Sequence, residues 1–163
     1  MRPTRPYFAA IFVVCAVLLG IAIYLQEQVG LEPCPMCILQ RYAFTAIGIV
    51  ALGGAIHGPR AGVALKIYGA LLILLALAGG GVAVRQSYIQ HFPPSVSSCG
   101  TDLDFLVNTF PISQALPKIF SGSGDCALVK WRLLGLSIAE WALIWFVLIL
   151  GTSAWLAFRR RAR

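Results

Sequence analysis

Four long apolar runs, at 7–25, 38–56, 63–84 and 136–158, alternate with polar connections at 26–37, 57–62 and 85–135. Each run matches the roughly 20 residues a helix needs to cross the hydrocarbon core of a bilayer. Backbone groups left unpaired in lipid are costly, so such runs cross as helices. The pattern therefore predicts an all-α membrane protein, a four-transmembrane-helix bundle in which residues 1–163 form a single integral-membrane domain.

Composition agrees. With 59% hydrophobic and 12% charged residues, the 163-residue chain has too few polar side chains to coat a water-facing globule. Charge then predicts the orientation. Arg2 and Arg5 precede the first run, Arg60 and Lys66 flank the 57–62 connection, and Arg159, Arg160, Arg161 and Arg163 follow the fourth run. An even number of spans puts these three regions on one side. That side holds most of the 13 basic residues and none of the 6 acidic ones. The positive-inside bias makes it the cytoplasmic side, with both termini inside and the connections 26–37 and 85–135 as the two outer, periplasmic loops. Lys66 sits near the inner end of its run and can snorkel to the headgroups. The net charge of +7 reflects this topology and anionic headgroups and is no sign of nucleic-acid binding. The basic start and apolar run of 1–25 could also be a cleaved signal peptide, but the length of the run and the lack of a small-x-small pattern before Gln26 favour an uncleaved anchor.

Four of the 5 cysteines then fall in the outer loops: Cys34, Cys37, Cys99 and Cys126. Cys15 lies inside the first run and is expected to be a packing residue. Cys34-Pro35-Met36-Cys37 is a Cys-x-x-Cys motif at the mouth of the second run. Ile38 follows it, where c-type haem attachment needs His, and the chain has no βαβ pattern for a thioredoxin fold. A redox pair remains, with a structural zinc site on Cys34, Cys37, Cys99 and Cys126 as the alternative. Cys37 falls at the start of a helix, where the dipole favours a thiolate. Arg41, four residues on, shares its face and could stabilise negative charge on an electron acceptor; its bland reading is a lipid-phosphate anchor. Cys99 and Cys126 are 27 positions apart. A bridge between them would contribute about 3.6 kcal/mol by closing the loop. Yet Ser97-Ser98-Cys99-Gly100 and the Ser/Gly-rich approach to Cys126 suit thiol exchange as well as a static staple. Between them Phe105, Leu106, Phe110, Leu116, Ile119 and Phe120, broken by Pro111 and Pro117, predict a short interfacial helix.

Taken in order, the outer Cys-x-x-Cys, Arg41, Cys99, Ser123-Gly124-Asp125-Cys126 and Trp131-x-x-Leu134-Gly135-Leu136 make the whole chain resemble the disulfide bond formation protein B family. That resemblance implies a quinone-dependent protein dithiol oxidase of the bacterial inner membrane. Such an enzyme reoxidises a periplasmic thioredoxin-fold dithiol oxidase of the disulfide bond formation protein A type. Electrons then pass to ubiquinone or menaquinone and on to the respiratory chain. It further implies catalytic disulfides Cys34–Cys37 and Cys99–Cys126, with Cys99 attacked by the partner, Cys34 exchanging with the second pair and Cys37 facing the quinone. Arg41 matches the family's quinone-side arginine, and no metal is implied. Two positions depart from the pattern: Gln86 stands where some members carry histidine near the quinone, and Gln40 replaces an acidic residue. Gln86 keeps the capacity to donate a hydrogen bond to the quinone. A bundle resembling vitamin K epoxide reductase is a related reading, and a stapled assembly factor a non-enzymatic one.

The remaining features read as packing or interface. Gly79, Gly80 and Gly81 permit close helix approach. Trp131 and Trp155 flank the fourth run as interfacial aromatics, Trp141 and Trp145 share one face, and Glu140 and His91 are expected at the interface.

Overall fold

A computed structural model of the chain describes residues 4–31, 33–59, 62–92, 124–127, 129 and 131–158. In chain order they form α1 (Arg5–Val29), α2 (Pro35–His57), α3 (Val63–His91), the single turn α4 (Gly124–Ala127), strands β1 (Arg132–Leu133) and β2 (Leu136–Ser137), and α5 (Ile138–Phe158). The interfacial helix expected around Phe105 to Phe120 lies outside the described residues, as does Cys99.

Helices α1, α2, α3 and α5 are each long and apolar enough to cross a membrane, and only 17% to 33% of their most apolar stretches is buried. Most of their apolar side chains therefore point outward, the arrangement of a bundle solvated by lipid tails. The fold is the four-helix membrane bundle that the hydropathy pattern predicts. α1 packs on α2, α2 on α3, and α3 on α5. Phe8, Ile47, Leu72 and Phe146 are fully buried at the centre, and Phe44 of α2 stacks on Phe146 of α5 with centroids 4.2 Å apart and planes 10° from parallel.

Local chemistry sets the helix ends, and these differ from the hydropathy boundaries. α2 begins at Pro35 because Cys34 adopts an extended N-cap conformation and proline occupies the first helical position. α3 continues past Val84 to His91, with the Arg85 guanidinium 5.7 Å from the centre of the Tyr88 ring. Before α5, Arg132 pairs with Ser137 and Leu133 with Leu136 in a small antiparallel hairpin. Leu134 at φ 54° and Gly135 at φ 83° make its two-residue turn, both left-handed as a type I′ turn requires. Ser137 and Glu140 then form a reciprocal capping box: the Ser137 N–H donates to Glu140 Oε2 at 2.6 Å and the Glu140 N–H to Ser137 Oγ at 3.3 Å.

At one end of the bundle, Thr4 Oγ1 donates to the Pro59 carbonyl at 2.6 Å, and the rings of Tyr7 and Trp155 lie 5.5 Å apart. This end joins the start of α1 and the end of α2 to the end of α5. The opposite end gathers Cys34, Cys37, the last turns of α3, and α4.

Gly79 of α3 has no room for a side chain. A Cβ there would collide with the Phe146 ring and sit 2.9 Å from Ala43 Cβ, whereas one at Gly81 would meet nothing within 4 Å. Gly79→Ala is expected to lower stability by about 1–3 kcal/mol through overpacking, with Gly81→Ala close to neutral. Thermal unfolding of both variants in one detergent checks this.

Candidate functional site

The cysteine end is built on the N-cap of α2. Cys34 holds φ −70° and ψ 162°, which turns its side chain back over the first turn, where Sγ accepts the Cys37 N–H at 3.4 Å. The two sulfurs stand 2.9 Å apart, within reach of the bond that would join them.

Cys126 arrives from the other side. It lies on α4, is 1% exposed, and packs in one buried cluster with Cys34, Met36 and Ile89. Its hydrogen bond to Cys34, followed by that of Cys37 and by burial, pushes the Cys34 thiol far above the ordinary thiol range. One member of the second cysteine pair thus touches the first member of the Cys-x-x-Cys pair.

Gln86 closes the site from α3. Its Nε2 donates to Cys37 Sγ at 3.1 Å and to Cys34 Sγ at 3.3 Å, and its Oε1 accepts from Gln40 Nε2 at 2.7 Å. The two positions that depart from the resembled pattern are therefore bonded to each other, and one of them is bonded to both sulfurs.

Arg41 is anchored across the α1–α2 contact. Nη1 donates to Gln26 Oε1 at 2.5 Å and Nη2 to the Ala22 carbonyl at 3.0 Å. Cys37, Gln40, Arg41 and Gln86 all line a cavity of about 430 Å³ whose remaining wall is largely apolar, from Val14 and Leu18 of α1 to Phe44 of α2. Trp131, Trp141 and Trp145 complete that wall. Reading these tryptophans as packing and interface residues missed this role. The available signal was the spacing of Trp141 and Trp145, which puts both on one face near the redox end. Gln40 was noted only as a departure from the resembled pattern, and the signal for its place in the site was an amide inside an apolar run.

His91 is 62% exposed, with Nε2 3.7 Å from Glu140 Oε1, so it joins the end of α3 to the cap of α5 away from the sulfurs. Among the described residues, no group of three or more His, Cys, Asp and Glu side chains is placed to hold a metal ion.

The model of the disulfide bond formation protein DsbB family matches residues 4–156. A disulfide bond formation protein B from Azoarcus sp. (strain BH72) is 49% identical over 162 residues, covering 99% of this chain and 97% of the relative. One from Aromatoleum aromaticum is 52% identical over 159 residues, covering 97% and 95% respectively. One from Xanthomonas axonopodis pv. citri is 44% identical over 152 residues, covering 93% and 87%.

Proposed function

The chain belongs to the disulfide bond formation protein DsbB family, and from that membership we propose a quinone-dependent dithiol oxidase that reoxidises a periplasmic thioredoxin-fold protein of the disulfide bond formation protein A type. At the coarser level it is a multi-pass membrane thiol oxidoreductase of disulfide bond formation. In the proposed setting, a bacterial inner membrane, the cysteine end faces the periplasm and electrons leave through the quinone pool to the respiratory chain. The observation that carries this reading is the convergence of Cys126 on Cys34 at a cavity that both Cys34 and Cys37 line.

From the oxidised state, a partner thiolate attacks Cys99 Sγ, breaking the Cys99–Cys126 bond and releasing the Cys126 thiolate. Cys126 lies against Cys34 and attacks it, so the Cys34–Cys37 bond breaks and Cys37 leaves as a thiolate. The partner's second thiolate then resolves the mixed disulfide and frees Cys99. Cys99 attacks Cys126, restoring their disulfide and releasing Cys34. The net transfer is two electrons from the partner dithiol to Cys34 and Cys37. Their return to a disulfide needs a two-electron, two-proton acceptor, the chemistry a quinone supplies when bound. The cavity suits one: its walls are largely apolar, and Gln40, Arg41 and Gln86 are among its few polar groups, at the cysteine end. Arg41 would hold a ring oxygen and Gln86 the Cys37 side.

The test is anaerobic oxidation of a reduced thioredoxin-fold dithiol protein by the full chain in lipid nanodiscs, with ubiquinone-1 or menadione added. Partner thiols should disappear in step with quinone reduction, and acid-quenched mass mapping should show Cys34–Cys37 and Cys99–Cys126. Oxidation indifferent to quinone, or bound zinc with four alkylatable thiols after chelation, would overturn the reading. A partner whose second cysteine is replaced by serine should accumulate as a covalent complex through Cys99 of the oxidised chain, because the thiolate that resolves the mixed disulfide is gone; a complex formed through Cys34 or Cys37 would reverse the order of the relay.

A further inference from the structure

Gln40 touches neither sulfur through a hydrogen bond among the described residues, yet its geometry determines what the sulfurs meet. A carboxamide is a donor at one end and an acceptor at the other, and a half-turn exchanges the two. Gln86 presents its donor end to Cys34 and Cys37, and what fixes that choice is the bond from Gln40 Nε2 to Gln86 Oε1. In the reverse orientation two NH₂ groups would oppose each other and an oxygen lone pair would face the sulfurs. Gln40 and Gln86 are 4% and 3% exposed, so water cannot repair either mismatch.

We propose that Gln40 is a positioning residue that locks the Gln86 carboxamide with its N–H toward Cys37, and so sets how readily the Cys34–Cys37 disulfide is reduced. Reduction adds two electrons and two protons and breaks the Sγ–Sγ bond, leaving electron-rich sulfur at Cys37. A fixed donor stabilises that reduced form more than the disulfide, whose sulfurs are poor acceptors. Stabilising the dithiol makes a pair more oxidising. The relay runs from α2 to α3 and back to α2, using neutral groups throughout. It rests on the reading that Cys34 and Cys37 cycle between disulfide and dithiol.

The experiment equilibrates the full-length protein in nanodiscs with dithiothreitol redox buffers, without quinone or partner. The reduced fraction of the Cys34–Cys37 peptide is read by acid quench and isotope-coded alkylation. Gln40→Met keeps the length but loses the donor, and should lower the equilibrium constant for reduction about tenfold, the scale of one hydrogen bond. Gln40→Glu is isosteric and should lower it at least as far, because its carboxylate takes Gln86 Nε2 and turns Oε1 to the sulfurs. Gln86→Leu should match Gln40→Met, and adding Gln40→Met to Gln86→Leu should cost nothing more, since the first acts only through the second. An unchanged constant in both Gln40 variants, or a Gln40→Met effect undiminished in the Gln86→Leu background, overturns the proposal. A wild-type pair that fails to cycle at all would instead refute the redox reading on which it rests.

Discussion

Cys37→Ser should cut oxidation of the partner dithiol by roughly a thousandfold or more, the scale on which removing an essential nucleophile acts. In the proposed relay Cys37 is the leaving group when Cys126 attacks Cys34, and a serine oxygen cannot form the bond that is broken. Cys34 would remain a thiol beside Cys126, with no disulfide to receive the electrons. The same variant should still form a mixed disulfide at Cys99, because that exchange precedes the transfer to Cys34. Cys15→Ala is the internal comparison. Cys15 is 1% exposed, its Cβ 3.5 Å from the Cβ position of Gly48, and it belongs to the core cluster with Phe8 and Ile47. Its loss should affect melting temperature and leave turnover near wild type. Partner thiol loss under anaerobic, quinone-supplied conditions measures both variants, and substantial turnover by Cys37→Ser would remove this cysteine from the relay.

The bundle was legible because a bilayer imposes a length and an apolar composition on each crossing, and both are visible one residue at a time. The ends were less so. Hydropathy places the second crossing at Ile38, but the helix starts where a cap and a proline permit, at Cys34 and Pro35. The hairpin before α5 straddles the end of the 85–135 connection and the start of the fourth apolar run, although Leu134-Gly135 and the Ser137-x-x-Glu140 box are local signals. What no local pattern carries is tertiary pairing. Gln40 and Gln86 are 46 positions apart, and each reads alone as an isolated amide. The face shared by Cys37 and Arg41 follows from helical spacing, while the hold of Gln26 and Ala22 on the guanidinium depends on how α1 lies against α2. Cys126 was identifiable as a redox candidate through its resemblance and its flanks, but its approach to Cys34 is set by α4 packing on α3.

Arg41→Ala should raise KM for quinone by roughly 10- to 100-fold, the range expected when a charge-assisted hydrogen bond is lost from a site of low polarity. The guanidinium carries five N–H groups. Gln26 Oε1 and the Ala22 carbonyl engage one each, on Nη1 and Nη2. These two acceptors fix the plane of the fork while the group remains part of the cavity lining. Lysine keeps the charge but has no planar fork, so it cannot satisfy both acceptors and still aim at a ring oxygen; Arg41→Lys should recover only part of the loss. Gln26→Leu should raise KM by a smaller factor, because it frees one side of the fork without removing the donor. Exchange at Cys99, assayed as mixed-disulfide formation with the partner, should be the same in all three variants, since in the proposed relay it precedes the arrival of electrons at Cys37. Unchanged quinone kinetics in Arg41→Ala would reduce Arg41 to an anchor between α1 and α2.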